Sequence, residues 1–183
     1  MRSLLIVSLL AIAVPPIQAQ DAASDTASRN REVLRQYGEL GRSGQYDKQA
    51  ALWAPVGINN GRPTRPDLIR TTLEDIHRTF PDYRSEVVET FVQGDIIVTM
   101  SRVTGTHLGV AQTTFNGGLL KGARPTGKRF EVLHTHWWKF KDGKIVWHQG
   151  VRDDLGMMRQ LGLIPDELPA SLRDATAPKP KQQ

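Results

Sequence analysis

His134-Thr135-His136 sets two imidazoles two residues apart, and Asp153 follows in the next alternating run. Asp142-Gly143 lies between the two runs. An Asp-Gly pair in that position predicts a two-residue hairpin loop. With that loop Lys141 faces Lys144. The pairing then continues as Phe140 with Ile145, Trp138 with Trp147, His136 with Gln149, His134 with Val151, and Val132 with Asp153. Strand side chains alternate between faces, so these ten residues are expected on one face. Glu131, Leu133, Thr135, Trp137, Lys139, Val146, His148 and Arg152 are expected on the other. A face joining Trp and Phe to His, His, Gln and Asp predicts a pocket rather than a solid core. Buried dry and unpartnered, each polar group would cost roughly 1–3 kcal/mol.

Four chemistries fit these residue types. Asp153, at the mouth of an apolar face with imidazoles nearby, could exchange a proton with an activated carbon. His134 and His136 have the spacing of a strand-borne metal site that Asp153 or His107 could complete. Residues 137–142, however, lack the Glu of a cupin-type signature. Nucleophilic Ser-His-Asp catalysis lacks a Gly-x-Ser-x-Gly elbow. In the fourth reading the histidines only line the wall, and Asp153 caps a helix starting at Asp154. Acid–base work by Asp153, His136 and His134 without metal or cofactor is the expectation carried forward. Gln149, Trp138, Trp147, Phe140, Asn59 and His107 are expected to bind substrate, a small apolar or aromatic carbonyl compound.

The remaining composition narrows the class. The chain has 183 residues, no cysteine and a formal charge of +5 from 24 bases and 19 acids. The absent thiols exclude a disulfide scaffold, a zinc finger and a cysteine nucleophile. The bases are scattered, so nucleic acid is not an expected partner. Met1-Arg2, the apolar run Leu4–Val14 and small Ala19 read as a signal peptide over 1–19, too short to span a bilayer. A periplasmic or secreted protein with no later membrane contact is expected. Residues 20–29 read as a flexible lead, 30–165 as the domain, and 166–183 as a flexible tail.

The elements that must position these residues are helical first, then extended. Helical spacing covers Asn30 to about Leu40, then Tyr46–Trp53. A third helix follows a Thr64/Asp67 capping box with Pro66 in its first turn, and Pro81 stops it. Val87–Val92, Ile96–Thr106, Arg129–Phe140 and Lys144–Val151 read as strands. Asp154–Leu161 reads as a last helix ending at Gly162. Helices followed by an antiparallel sheet predict an α+β fold. The Gly-rich stretch from Gly109 to Gly122 reads as a mobile cover, and Trp137 as a candidate anchor for homo-oligomer contacts.

Six stretches together resemble the SnoaL-like polyketide cyclases, or ester cyclases, of the nuclear-transport-factor-like superfamily. They are Phe80-Pro-Asp-Tyr-Arg84, Gly94-Asp-Ile-Ile-Val98, Thr104-Gly-Thr-His107, Pro125-Thr-Gly-Lys-Arg129, Asp142-Gly-Lys-Ile145 and Asp153-Asp-Leu-Gly-Met-Met-Arg-Gln-Leu-Gly162. The resemblance implies a cone-shaped α+β barrel, its curved antiparallel sheet wrapped round a pocket closed by helices. It also implies cofactor-free aldol-type ring closure with a pocket aspartate as acid and base, which falls on Asp153. The chain departs from many relatives at Asn59-Asn60, where they carry a histidine. The rival to an enzyme is a non-catalytic periplasmic domain of the same fold that holds a small ligand.

Overall fold

The computed structural model describes residues 17–167, with side chains described from residue 24. Its elements in chain order are α1 (Ile17–Arg42), α2 (Tyr46–Ala50), β1 (Trp53–Asn59), β2 (Arg62–Thr64) and α3 (Pro66–Thr79). They continue as β3 (Arg84–Gln93), β4 (Ile96–Thr106), β5 (Arg129–Lys141), β6 (Lys144–Arg152) and α4 (Asp154–Gln160). The six strands form one curved, unclosed sheet in the order β2-β1-β6-β5-β4-β3. The expected α+β cone is the observed architecture.

Most elements lie where the periodicity puts them, and three depart. α1 begins at Ile17 rather than Asn30, so residues 20–29 are helical. The expected signal segment falls outside the described residues up to residue 16, as does the tail beyond 167. The second helix stops at Ala50, and Trp53–Asn59 is a strand instead of a helix end and loop. Pro55 and Gly57 hide that strand in the sequence, because both are depleted in strands. Parallel pairing with β6 makes it one, with Trp53 beside Ile145 and Asn59 beside His148. The capping box does not form. Arg65 is the N-cap of α3 with no side-chain cap bond, and Asp67 pairs with Arg65 at 2.7 Å.

The Asp142-Gly143 turn forms as expected, with φ of 50° and 71°, the left-handed pair a type I′ hairpin needs. Lys141 faces Lys144 and Phe140 faces Ile145. The register then slips: Lys139 faces Trp147, Trp138 faces His148, His136 faces Gly150 and His134 faces Arg152. Val146 is thus one extra residue on β6, a β-bulge, and beyond it every β6 side chain changes face. The burial of β6 shows this directly, since Ile145, His148 and Gly150 are its buried positions.

Two apolar clusters fill the interior. Trp53, Ile69, Ile97, Trp138, Phe140 and Ile145 pack near the hairpin end, with Val33, Leu34 and Tyr37 of α1 over them. Phe80, Val103, Phe130, Val132, Met157, Met158 and Leu161 fill the other end. The Gly109–Gly122 stretch belongs to this second cluster through buried Ala111 and Leu120. Asp75 of α3 pins it: the buried carboxylate accepts from Gln112 N, Thr113 N and Thr113 Oγ1 at 2.7–3.1 Å. A β-carbon on Gly109 would lie 2.0 Å from the Arg78 carbonyl, so only glycine lets the chain pass this close to α3.

Candidate active site

A polar belt crosses the inner face of the sheet between the two apolar clusters. On β4, Ile97, Thr99, Ser101 and Val103 point inward and are buried. Thr99 lies beside His136 and Ser101 beside His134. On the other flank of β5, His136 faces Gly150 and His134 faces Arg152. The belt therefore reads Thr99–His136–Gly150 and Ser101–His134–Arg152 across three strands. Apolar rows bound it. Ile97 and Trp138 lie on one side, and Val103 with Val132 on the other.

Trp138 stacks across His148 at a centroid distance of 4.2 Å and donates from Nε1 to Thr99 Oγ1 at 3.3 Å. The His136 and His148 rings stack at 5.1 Å, and His136 Nδ1 lies 2.9 Å from His148 Nε2. His148 Nδ1 lies 2.8 Å from Asn59 Oδ1. Asn60, at φ 50° in the β1–β2 turn, is tied to β6 twice. Its backbone N–H donates to the His148 carbonyl at 2.9 Å, and its Oδ1 accepts from Gly150 N at 2.8 Å.

Charge in the belt comes from Arg152 and Asp154, whose Nε and Oδ2 lie 3.4 Å apart with both side chains mostly buried. Burial, and Asp153 next door, push the Asp154 carboxyl up against the opposing pull of Arg152. Burial drives the histidines the other way. His134 falls to about 3, helped by His136 and Arg152, and His136 falls to about 4, helped by Arg152. His148 lies well below its usual range for the same reasons. All three rings are thus neutral at pH 7. Burial also raises Tyr37 and Tyr83 to about 12, which keeps both phenols protonated donors. His134 Nε2 and Asp154 Oδ1 are buried with no hydrogen-bond partner among the described residues. Such orphans are rare in native interiors and mark places where another polar group belongs.

The structure brings together some of the expected site residues and separates others. His134, His136, Trp138 and Phe140 share the inner face, and Asn59 joins them through His148. Trp147 and Gln149 do not: the bulge turns them outward, with Lys139 Nζ lying 5.2 Å over the Trp147 ring. Asp153 is exposed, and its Oδ1 accepts from Gly156 N at 2.8 Å as the N-cap of α4. The expected sharing of one face by Asp153 and the imidazoles is therefore corrected by one inserted residue. His107 is buried in the other cluster, 5.7 Å from the Phe80 ring, away from the belt. Exposed Trp137 sits on the outer face with Leu133 and Val151.

The sequence reading missed His148, Arg152 and Asp154. Parity alone assigned the first two to the wrong face, and no local signal marks Val146 as a bulge. A shallow depression of about 270 Å³ lies outside, lined by Arg102, Glu131, Val132, Leu133 and Asp153. Another of about 230 Å³ lies against α1. Neither borders the histidines. No group of three or more His, Asp or Glu is disposed to hold a metal ion among the described residues.

Known proteins share this arrangement of elements. IdmH from Streptomyces antibioticus is 25% identical, covers 73% of this chain and 98% of its own, and superposes with a TM-score of 0.58. A SnoaL-like polyketide cyclase from Agrobacterium tumefaciens is 19% identical over 73% and 98%, TM-score 0.60. A phenazine biosynthesis-related protein from Pseudomonas aeruginosa is 16% identical over 82% and 96%, TM-score 0.63. No curated protein matches the chain significantly. The model of the SnoaL-like polyketide cyclases matches residues 31–161, from the middle of α1 to the end of α4. The chain belongs to the SnoaL-like polyketide cyclase family.

Proposed function

We propose that this protein is a cofactor-independent acid–base enzyme of the cyclase or isomerase type. It acts on a small, largely apolar carbonyl compound held against the belt. One observation carries the reading: neutral imidazoles, a guanidinium and a carboxylate meet on one buried face between apolar clusters. A neutral imidazole in that setting can take a proton from the carbon α to a carbonyl. The C–H electron pair then forms the enolate C=C bond, and the negative charge develops on oxygen. Arg152 is the group that stabilises it, and it acts strongly because its side chain is mostly buried. In ring closure the enolate carbon attacks a second carbonyl of the same molecule, and the resulting alkoxide recovers the proton from the imidazolium. In isomerisation the proton returns to a different carbon. Trp138, Ile97 and Phe140 hold the apolar body. Family membership supports the class of chemistry and leaves the substrate open.

The test uses 2-tetralone, an aromatic ketone with exchangeable α-protons. Wild-type protein in deuterated buffer is expected to speed deuterium uptake at least tenfold over buffer, and His136→Gln is expected to abolish the acceleration. Binding of 2-tetralone without acceleration overturns the catalytic reading in favour of a non-catalytic ligand-binding domain. We further propose export, supported by the charged, apolar and small-residue pattern of residues 1–19. N-terminal sequencing of protein from the native cell checks it, and an intact Met1 would refute it.

A further inference from the structure

We propose that the two asparagines of the β1–β2 turn fix which nitrogen of His148 and of His136 carries its proton, leaving His136 Nε2 as the bare base of the site. The proposal rests on the acid–base reading for its consequence but on hydrogen-bond logic for its content.

The chain starts at a group with no choice. Gly150 N is a backbone N–H, so the side-chain atom 2.8 Å away on Asn60 must be its carbonyl oxygen. The other terminus of that amide is then Asn60 Nδ2, a donor, and it lies 3.1 Å from Asn59. The atom it meets must accept, so Asn59 presents Oδ1. That same oxygen lies 2.8 Å from His148 Nδ1. An amide oxygen only accepts, so His148 Nδ1 carries hydrogen. A neutral imidazole has one N–H, which leaves His148 Nε2 with a lone pair. His136 Nδ1, 2.9 Å from it, must therefore be the donor. His136 Nε2 is then unprotonated, and it has no hydrogen-bond partner among the described residues.

Neutrality of His148 is required, and its surroundings enforce it. The ring is buried against Trp53 and Trp138, and Arg152 is the charged group on its own face. A second proton on His148 would set N–H against N–H toward His136 and place two cations side by side in the interior. The unusual feature is the δ-protonated form of both rings, since a free imidazole in water favours the proton on Nε2. Asn59 and Asn60 are positioning residues: they act on the base through His148. When His136 Nε2 takes a proton from carbon, its Nδ1–H stays bonded to His148, so the imidazolium forms without reorganising the chain.

Long-range ¹H–¹⁵N NMR of protein labelled at histidine reads each tautomer without a substrate. Wild type at neutral pH is expected to show His136 and His148 protonated at Nδ1, with both Nε2 resonances in the downfield position of a bare nitrogen. Asn59→Leu keeps the shape and removes the acceptor, so both rings are expected to revert to the Nε2–H form. Gly150 and Asn60 amide shifts in a uniformly ¹⁵N-labelled sample of the same variant show whether the turn remains folded. Either ring of the wild type protonated at Nε2 overturns the proposal, whatever the variant does. The two readings separate cleanly: correct tautomers with no exchange of 2-tetralone would refute the enzyme, while exchange with the opposite tautomers would refute the relay.

Discussion

Asp153 and Asp154 are neighbours in the chain and face different worlds. Asp153 turns out to water and closes the first turn of α4 on Gly156 N, whereas Asp154 turns in and meets Arg152 at 3.4 Å with its Oδ1 buried. The same two-carboxylate step therefore holds an exposed helix cap and a mostly buried partner of Arg152, and substitutions separate them.

Asp153→Ala is expected to lower stability by about 1 kcal/mol, the usual value of an N-cap, while ketone exchange stays at the wild-type rate. Asp154→Asn leaves the mostly buried Arg152 without its counter-charge and is expected to slow exchange at least tenfold as well as to lower stability. Equal loss of exchange in both variants would refute the division of roles.

Stability against pH reports the buried imidazoles. His134 and His136 fall to about 3 and 4 in the folded chain, against an ordinary value near 6.5. The unfolded chain therefore binds more protons between those limits. The stability these rings contribute is fully present above pH 6.5 and is lost as pH falls toward 4, by up to about 1.4 kcal/mol per pH unit for each ring. Urea unfolding from pH 7.5 to 4.5 is expected to show this slope, and His134→Asn should reduce it by about one proton. A flat profile would contradict the burial of these rings.

The bulge at Val146 decides which β6 side chains are inside. Deleting Val146 would send His148, Gly150 and Arg152 outward and bring Trp147, Gln149 and Val151 in. The expected loss exceeds about 4 kcal/mol, the range reserved for core disruption. Near-ultraviolet circular dichroism should lose the signal of Trp138 packed on His148. A deletion variant that melts within about 5 °C of wild type would mean the sheet tolerates either parity.

Asp75 offers a fourth test away from the site. Burial alone would raise its carboxyl, but Thr113, the Gln112 amide and Arg78 outweigh burial and hold it below the ordinary range. Asp75→Ala strands those donors and is expected to destabilise by about 2–4 kcal/mol. Hydrogen exchange at the Gln112 and Thr113 amides should rise at least as much as exchange in β4. Unchanged protection there would show that apolar packing of Leu120 and Ala111 suffices to hold the segment.

Residue type and spacing alone specified much of this protein. Helical stripes gave α3 and α4, period-two runs gave β4 and β5 almost to the residue, and Asp142-Gly143 gave the turn. These signals are local: a turn type, a capping position and a repeat of two or 3.6 are written within a few neighbours. The shared inner face of His134, His136 and Trp138 was legible because the β5 pattern continues unbroken from Phe130 to Phe140. The face of His148, Arg152 and Asp154 was not, because a bulge is set by how two strands and the elements behind them fit, and Val146 looks like any strand valine. The strand β1 was hidden for the same reason, since pairing with β6 on one side and β2 on the other makes Trp53–Asn59 extended. Tertiary structure alone decided that Asn59 and Asn60 reach His148 and Gly150 some ninety residues away in sequence and that Asp153 faces water. Contacts between distant segments depend on register, and one added residue reverses it.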